Sequence, residues 1–148
     1  MTKSPTLGEF LDAGRHEFGF LVAEFGFVEQ SEPDSRANPF SLCFLSATTV
    51  VRVEGIQWGL GLQVLLGRVT QISGAPSCVP LWAIIEVRAP NTERSVAGQL
   101  QQLAFYAEML RLHAADVLRG DFSSFSAAME VVERCAREAA KPSVRALP

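Results

Sequence analysis

The stretch PFSLCFLSATTVVRVEGIQWGLGLQVLLGRV, from Pro39 to Val69, decides the fold. Three runs rich in aromatic and β-branched residues are separated by short breaks, the pattern of a three-stranded antiparallel meander. Successive side chains in a strand point to opposite faces. Phe40, Leu42 and Phe44 therefore share one face of the first run, as do Thr49, Val51 and Val53 in the second. In the third, Trp58, Leu60, Leu62, Val64 and Leu66 make an unbroken apolar row. These rows form the side that helices would cover. Val50, Arg52 and Glu54, with Gly59, Gly61, Gln63, Leu65 and Gly67, fall on the other side. The spacing places turns at Ser46-Ala47-Thr48 and at Glu54-Gly55-Ile56-Gln57, where Gly55 suits the positive φ of a tight hairpin.

Glycine inside a strand marks a bulge or the close approach of another group. Gly59 and Gly61, bordered by Arg52, Glu54 and Gln63, thus read in two ways. One is a bulged strand with a solvated back face. The other is a smooth docking strip for a partner or ligand.

Outward from this core the chain reads as helical. Leu7, Leu11, Gly14, Phe18, Leu21, Val22 and Phe25 recur at the spacing of one helical face, and Gly26 suits its end. Glu17-Phe18-Gly19-Phe20 and Glu24-Phe25-Gly26-Phe27 repeat seven residues apart, about two helical turns. A helix buried on more than one side explains this echo more simply than an aromatic grip. Pro80 to Val87 matches a strand or a short helix, and Pro80 at a first turn favours the helix. The spacing predicts a long helix over Ser95–Arg119. Leu100, Leu103, Ala107, Leu110, Ala114 and Val117 lie on one side, and Phe105, Met109 and Leu112 on the other, a candidate homodimer patch. Gly120 ends it. A last helix begins near Asp121 and Ser123-Ser124, carries Phe122, Phe125, Met129, Val132, Cys135 and Ala136 inward, and stops at Pro142.

The expected fold class is α+β. An N-terminal helix leads into a three- to four-stranded antiparallel meander, and two long C-terminal helices pack on one sheet face. A chain of 148 residues, 48% hydrophobic and 20% charged, fits one domain with a sizeable core, with looser ends over 1–6 and 142–148. A net charge of −3 argues against nucleic acid as a partner. No apolar run reaches membrane-spanning length, and the first residues lack a signal-peptide pattern. Cys43, Cys78 and Cys135 are odd in number and widely spaced, so neither disulfides nor a zinc site is indicated and a cytoplasmic location is expected. Cys43 and Cys135 read as buried small hydrophobes.

No phosphate loop, metalloprotease helix, nucleophile elbow or calcium loop occurs, so no cofactor, metal or catalytic residue is expected. His113 and Asp116, three apart, with Tyr106 two turns earlier, could form an acid–base cluster, although such spacing arises readily by chance. A rival pocket between sheet and helices would draw on Trp58, Trp82, Tyr106 and His113.

The Glu-Phe-Gly-Phe segment that closes the first helix and the Leu118-Arg-Gly-Asp-Phe122 junction of the last two helices resemble, in layout, small bacterial proteins of which some are regarded as toxin-system immunity proteins. That resemblance implies a cytoplasmic binding role and carries over no catalytic residue. The sequence thus points to a non-enzymatic module that binds another protein or itself. The alternative is a small ligand-binding domain or enzyme.

Overall fold

A computed structural model describes residues 5–30, 39–56, 61–69, 78–92 and 98–140. The meander forms, and among the described residues it has five strands rather than three or four. These are β1 (Val28–Gln30), β2 (Ser41–Leu45), β3 (Thr49–Ile56), β4 (Gly61–Arg68) and β5 (Cys78–Pro80), paired antiparallel in chain order. The two unforeseen strands have three residues each, too short to show alternation, and they exist because β2 and β4 offer unpaired edges.

Register carries the face assignment. Phe44 lies opposite Val51, Val51 opposite Leu66, and Leu66 opposite Val79, so one apolar row crosses four strands. Leu42, Val53 and Val64 form the next row. All of these side chains are buried. Each contributes about 1.5–3 kcal/mol by leaving water. Thr49 also faces this side fully buried, its hydroxyl donating to the Val117 carbonyl at 2.9 Å.

Gly55 lies within β3 opposite Leu62, so the predicted turn at 54–57 is overturned. A Cβ at Gly55 would come within 2.6 Å of Gln99 Nε2 and 3.1 Å of Phe40 Cβ. Glycine stands here because neighbouring side chains fill the space, not because a turn needs positive φ.

The first helix is two: α1 (Leu7–Glu17) and α2 (Gly19–Phe25), broken at Phe18. Thr6 caps α1. Its hydroxyl accepts from the Glu9 amide while the Glu9 carboxylate accepts from the Thr6 amide. The buried stripe runs through Phe10, Gly14, Phe18 and Leu21, while Leu7 and Val22 are exposed. Gly14 brings α1 down onto Leu42 of the sheet. Gly26 ends α2 in the left-handed region at φ 73°, as the sequence indicates. Arg15 holds Glu29 of β1 with two nitrogens at 3.0–3.1 Å, joining α1 to the sheet edge.

The Pro80–Val87 segment resolves as a helix, α3 (Leu81–Arg88), following β5 without a gap. The predicted long helix is α4 (Gln99–His113) and a separate turn, α5 (Ala115–Leu118), with Ala114 off helical geometry between them. In an unbroken helix the His113 carbonyl would accept the amide four residues on. Here it accepts from Arg88 of α3, whose guanidinium also grips Asp116. The break thus coincides with a contact across the fold.

The last helix, α6 (Phe125–Ala140), packs against α3. Its buried residues are Ala128 and Val131; Met129 and Cys135 are exposed, so the predicted inward stripe is rotated and the core ends early. The helices cover one face of the sheet. Every sheet side chain seen to reach a helix or the α5–α6 junction lies on that face: Glu29 to Arg15, Thr49 to Val117, and Arg68 stacked on Phe122.

Candidate binding surface

Alternation sends Arg52, Glu54, Gln63, Leu65 and Cys78 to the second face of the sheet. Glu54 lies opposite Gln63, and Arg52 opposite Leu65. Arg52 and Glu54 share a strand two residues apart, and Arg52 Nε stands 3.9 Å from Glu54 Oε1. Their side chains keep 38% and 23% of their surface, so the pair remains within reach of a partner. Cys78 lies in the same field. Burial pushes its thiol up, Arg52 pulls it down and Glu54 raises it, so the thiol form is favoured over thiolate.

Gly61 is buried, and its carbonyl accepts from Gln99 Nε2 at 2.8 Å. Its part in the predicted strip is therefore backbone anchorage to α4. Gly59 and Trp58 lie outside the described residues. The structure brings together Arg52, Glu54 and Gln63 on adjacent strands, with Gly61 at the strand start.

The described residues of the alternative pocket have other partners. Trp82 packs half-buried against the core, and Tyr106 stacks edge-on with Phe105 at 5.2 Å. His113 presents its carbonyl to Arg88. Asp116 meets the same guanidinium at 2.7 and 2.6 Å, and this bond holds its carboxyl below the usual carboxylate range. A carboxylate so committed is poorly placed to orient a histidine as a base. The predicted homodimer patch also breaks up: Met109 is buried, Phe105 leans on Tyr106, and Leu112 remains 62% exposed.

A second region is the echo that the sequence reads more simply as a helix buried on more than one side. Phe20 and Phe25, one from each copy of the Glu-Phe-Gly-Phe echo, meet edge-on at 6.1 Å. Arg111 lies over the Phe20 ring at 5.2 Å and Arg119 over Phe25 at 5.3 Å. Arg111 also pairs with Glu24. That hydrogen bond lowers the Glu24 pKa and raises that of Arg111. A shallow hollow of about 430 Å³ opens on each side of the pair. One is lined by Glu17, Phe20, Glu108 and Leu112, the other by Phe25, Thr48 and Arg119. Neither includes Trp82, Tyr106 or His113. The echo was the available signal; two arginines eight residues apart on the facing segment would have completed it.

No family model, curated protein or solved structure matches this chain. Among the described residues, no three His, Cys, Asp or Glu side chains gather as a metal site, and no helix is long and apolar enough to cross a membrane.

Proposed function

We propose that the protein is a non-enzymatic interaction module of the cytoplasm, an immunity-type binder that holds a partner protein on the second face of its sheet. The carrying observation is the division of labour across that sheet. One face is packed under helices, while the other sets Arg52, Glu54 and Gln63 side by side on the neighbouring strands β3 and β4, with both charges partly accessible. A rigid five-stranded support keeps such a cluster in place at low entropic cost, which favours affinity. Opposite charges side by side supply specificity, because a partner must match both. Three free cysteines, Cys43, Cys78 and Cys135, fit a reducing compartment.

The test compares the native chain with the double variant Arg52→Glu, Gln63→Lys as affinity baits at physiological salt. Circular dichroism and thermal melting confirm that both are folded. The proposal expects a partner retained by the native chain and lost, or weakened at least tenfold, by the variant. Equal retention by both, or none by either, overturns it.

A further inference from the structure

One of the two hollows beside the Phe20–Phe25 pair gathers polar groups that lack counterparts. It lies where the end of α2, the β2–β3 turn and the end of α5 meet, and Glu24, Phe25, Ser46, Thr48, Leu118 and Arg119 line it. Its volume of about 430 Å³ is that of a small-molecule site. The Arg119 guanidinium lies over the Phe25 ring at 5.3 Å. Among the described residues, no carboxylate or carbonyl takes its hydrogens. Stacking fixes the plane of the group and leaves the N–H edge, with its five donors, for an anion.

A proton count at the turn supplies the other half of the site. Thr49 Oγ1 gives its one hydrogen to the Val117 carbonyl at 2.9 Å. In the 3.1 Å contact between Thr48 Oγ1 and Thr49 Oγ1, Thr48 is therefore the donor. With its hydrogen committed, Thr48 Oγ1 can only accept, and nothing among the described residues donates to it. Glu24 turns Oε2 to Arg111, and its Oε1 has no partner among the described residues. Glu24 and Arg119 line the same hollow yet form no ion pair with each other. The hollow thus offers a cationic fork and, apart from it, two oxygen acceptors.

We propose that this hollow binds a small zwitterion of the amino-acid type. Its carboxylate lies on Arg119, its ammonium on Glu24 Oε1 and Thr48 Oγ1, and its apolar body against Phe25 and Leu118. An anion alone would set its charge beside Glu24, and a cation alone would meet Arg119. A molecule carrying both charges satisfies both sets of groups. The hollow is shallow, so charge-assisted hydrogen bonds supply most of a modest affinity. It shares no residue with the Arg52–Glu54–Gln63 cluster, and each can fail without the other.

Amide chemical shifts of the full chain, titrated with leucine to about 20 mM, test this. Leucine is expected to move the Gly26, Ala47 and Thr48 amides with saturation. Leucinamide, which lacks the carboxylate, and N-acetyl-leucine, which lacks the ammonium, should each bind at least fivefold more weakly. Arg119→Gln should weaken leucine by the same factor. Arg119 is exposed, so circular dichroism should show the variant folded as the native chain, and the two capped ligands test the native chain in any case. No shift with leucine, or shifts that map away from these amides, overturns the proposal. So does a loss of less than fivefold in any of the three comparisons.

Discussion

The two faces of the sheet come from the same strands and differ in what decides each residue. On the helix side most residues are apolar, and Phe44, Val51, Leu66 and Val79 meet across the ladder in one row, with Glu29, Thr49 and Arg68 as the polar exceptions. On the far side the corresponding row is Cys43, Arg52, Leu65 and Pro80, of which only Cys43 is buried. The first face specifies the fold through volume, since close-packed side chains leave little room for change. The second buries Cys43 and Val50 and leaves Arg52, Glu54 and Gln63 partly exposed.

The sharpest break of this comparison is a matched pair of truncations. Phe44→Ala on the packed face should cost about 3–5 kcal/mol in urea unfolding. Leu65→Ala on the far face should cost about 1 kcal/mol or less, because Leu65 is only half-buried. Equal costs would mean that both faces are core.

Gly55→Ala is next. Its new methyl would press on Gln99 and Phe40, and a loss of about 1–3 kcal/mol is expected. Urea unfolding checks it, and no loss would mean that Gln99 and Phe40 move aside.

The Arg88–Asp116 pair should matter less. The two side chains are each 31% exposed, which screens the attraction, and Asp116→Asn should cost about 1 kcal/mol at pH 7. The Asp116 pKa is depressed in the folded chain, so its contribution is complete above the unfolded value near 3.8 and vanishes as pH falls through the folded value. Native and Asp116→Asn melting temperatures should therefore converge as the pH is lowered past 3.8 and through the folded value. A gap that persists at low pH would assign the effect to packing.

Smallest of all is Arg52→Gln, which should change stability by less than about 0.5 kcal/mol while altering partner retention. A large stability loss there would make the Arg52–Glu54 pair structural and remove the basis for a docking face.

The legible parts were those with a strict period. Leu42, Phe44, Val51, Val53, Val64 and Leu66 alternate without error, and their faces follow from the pleat alone. Gly26 and Gly120 mark real helix ends, at φ 73° and 96°. Of the candidate binding residues, Arg52, Glu54 and Gln63 group together on the strength of alternation and strand order, both of which are properties of the sequence.

Other features have no local signature. β1 is exposed along its whole length and owes its existence to the edge of β2. The break between α4 and α5 involves Arg88, 25 residues away from the carbonyl it takes. Phe20 and Arg111 are 91 positions apart, yet their stack frames one of the hollows. Gly55 looked like a turn because glycine's two uses, positive φ and absence of volume, are indistinguishable in one letter.

The sequence by itself determined that this chain builds an antiparallel meander with one oily side, flanked by helices, because alternation and helical spacing are set by backbone geometry at each residue. Only the tertiary structure decided how many strands join, where helices break, and which stripe of α6 is left uncovered. Those outcomes depend on partners brought together across long stretches of chain, and a distant side chain leaves no mark on the local pattern it completes.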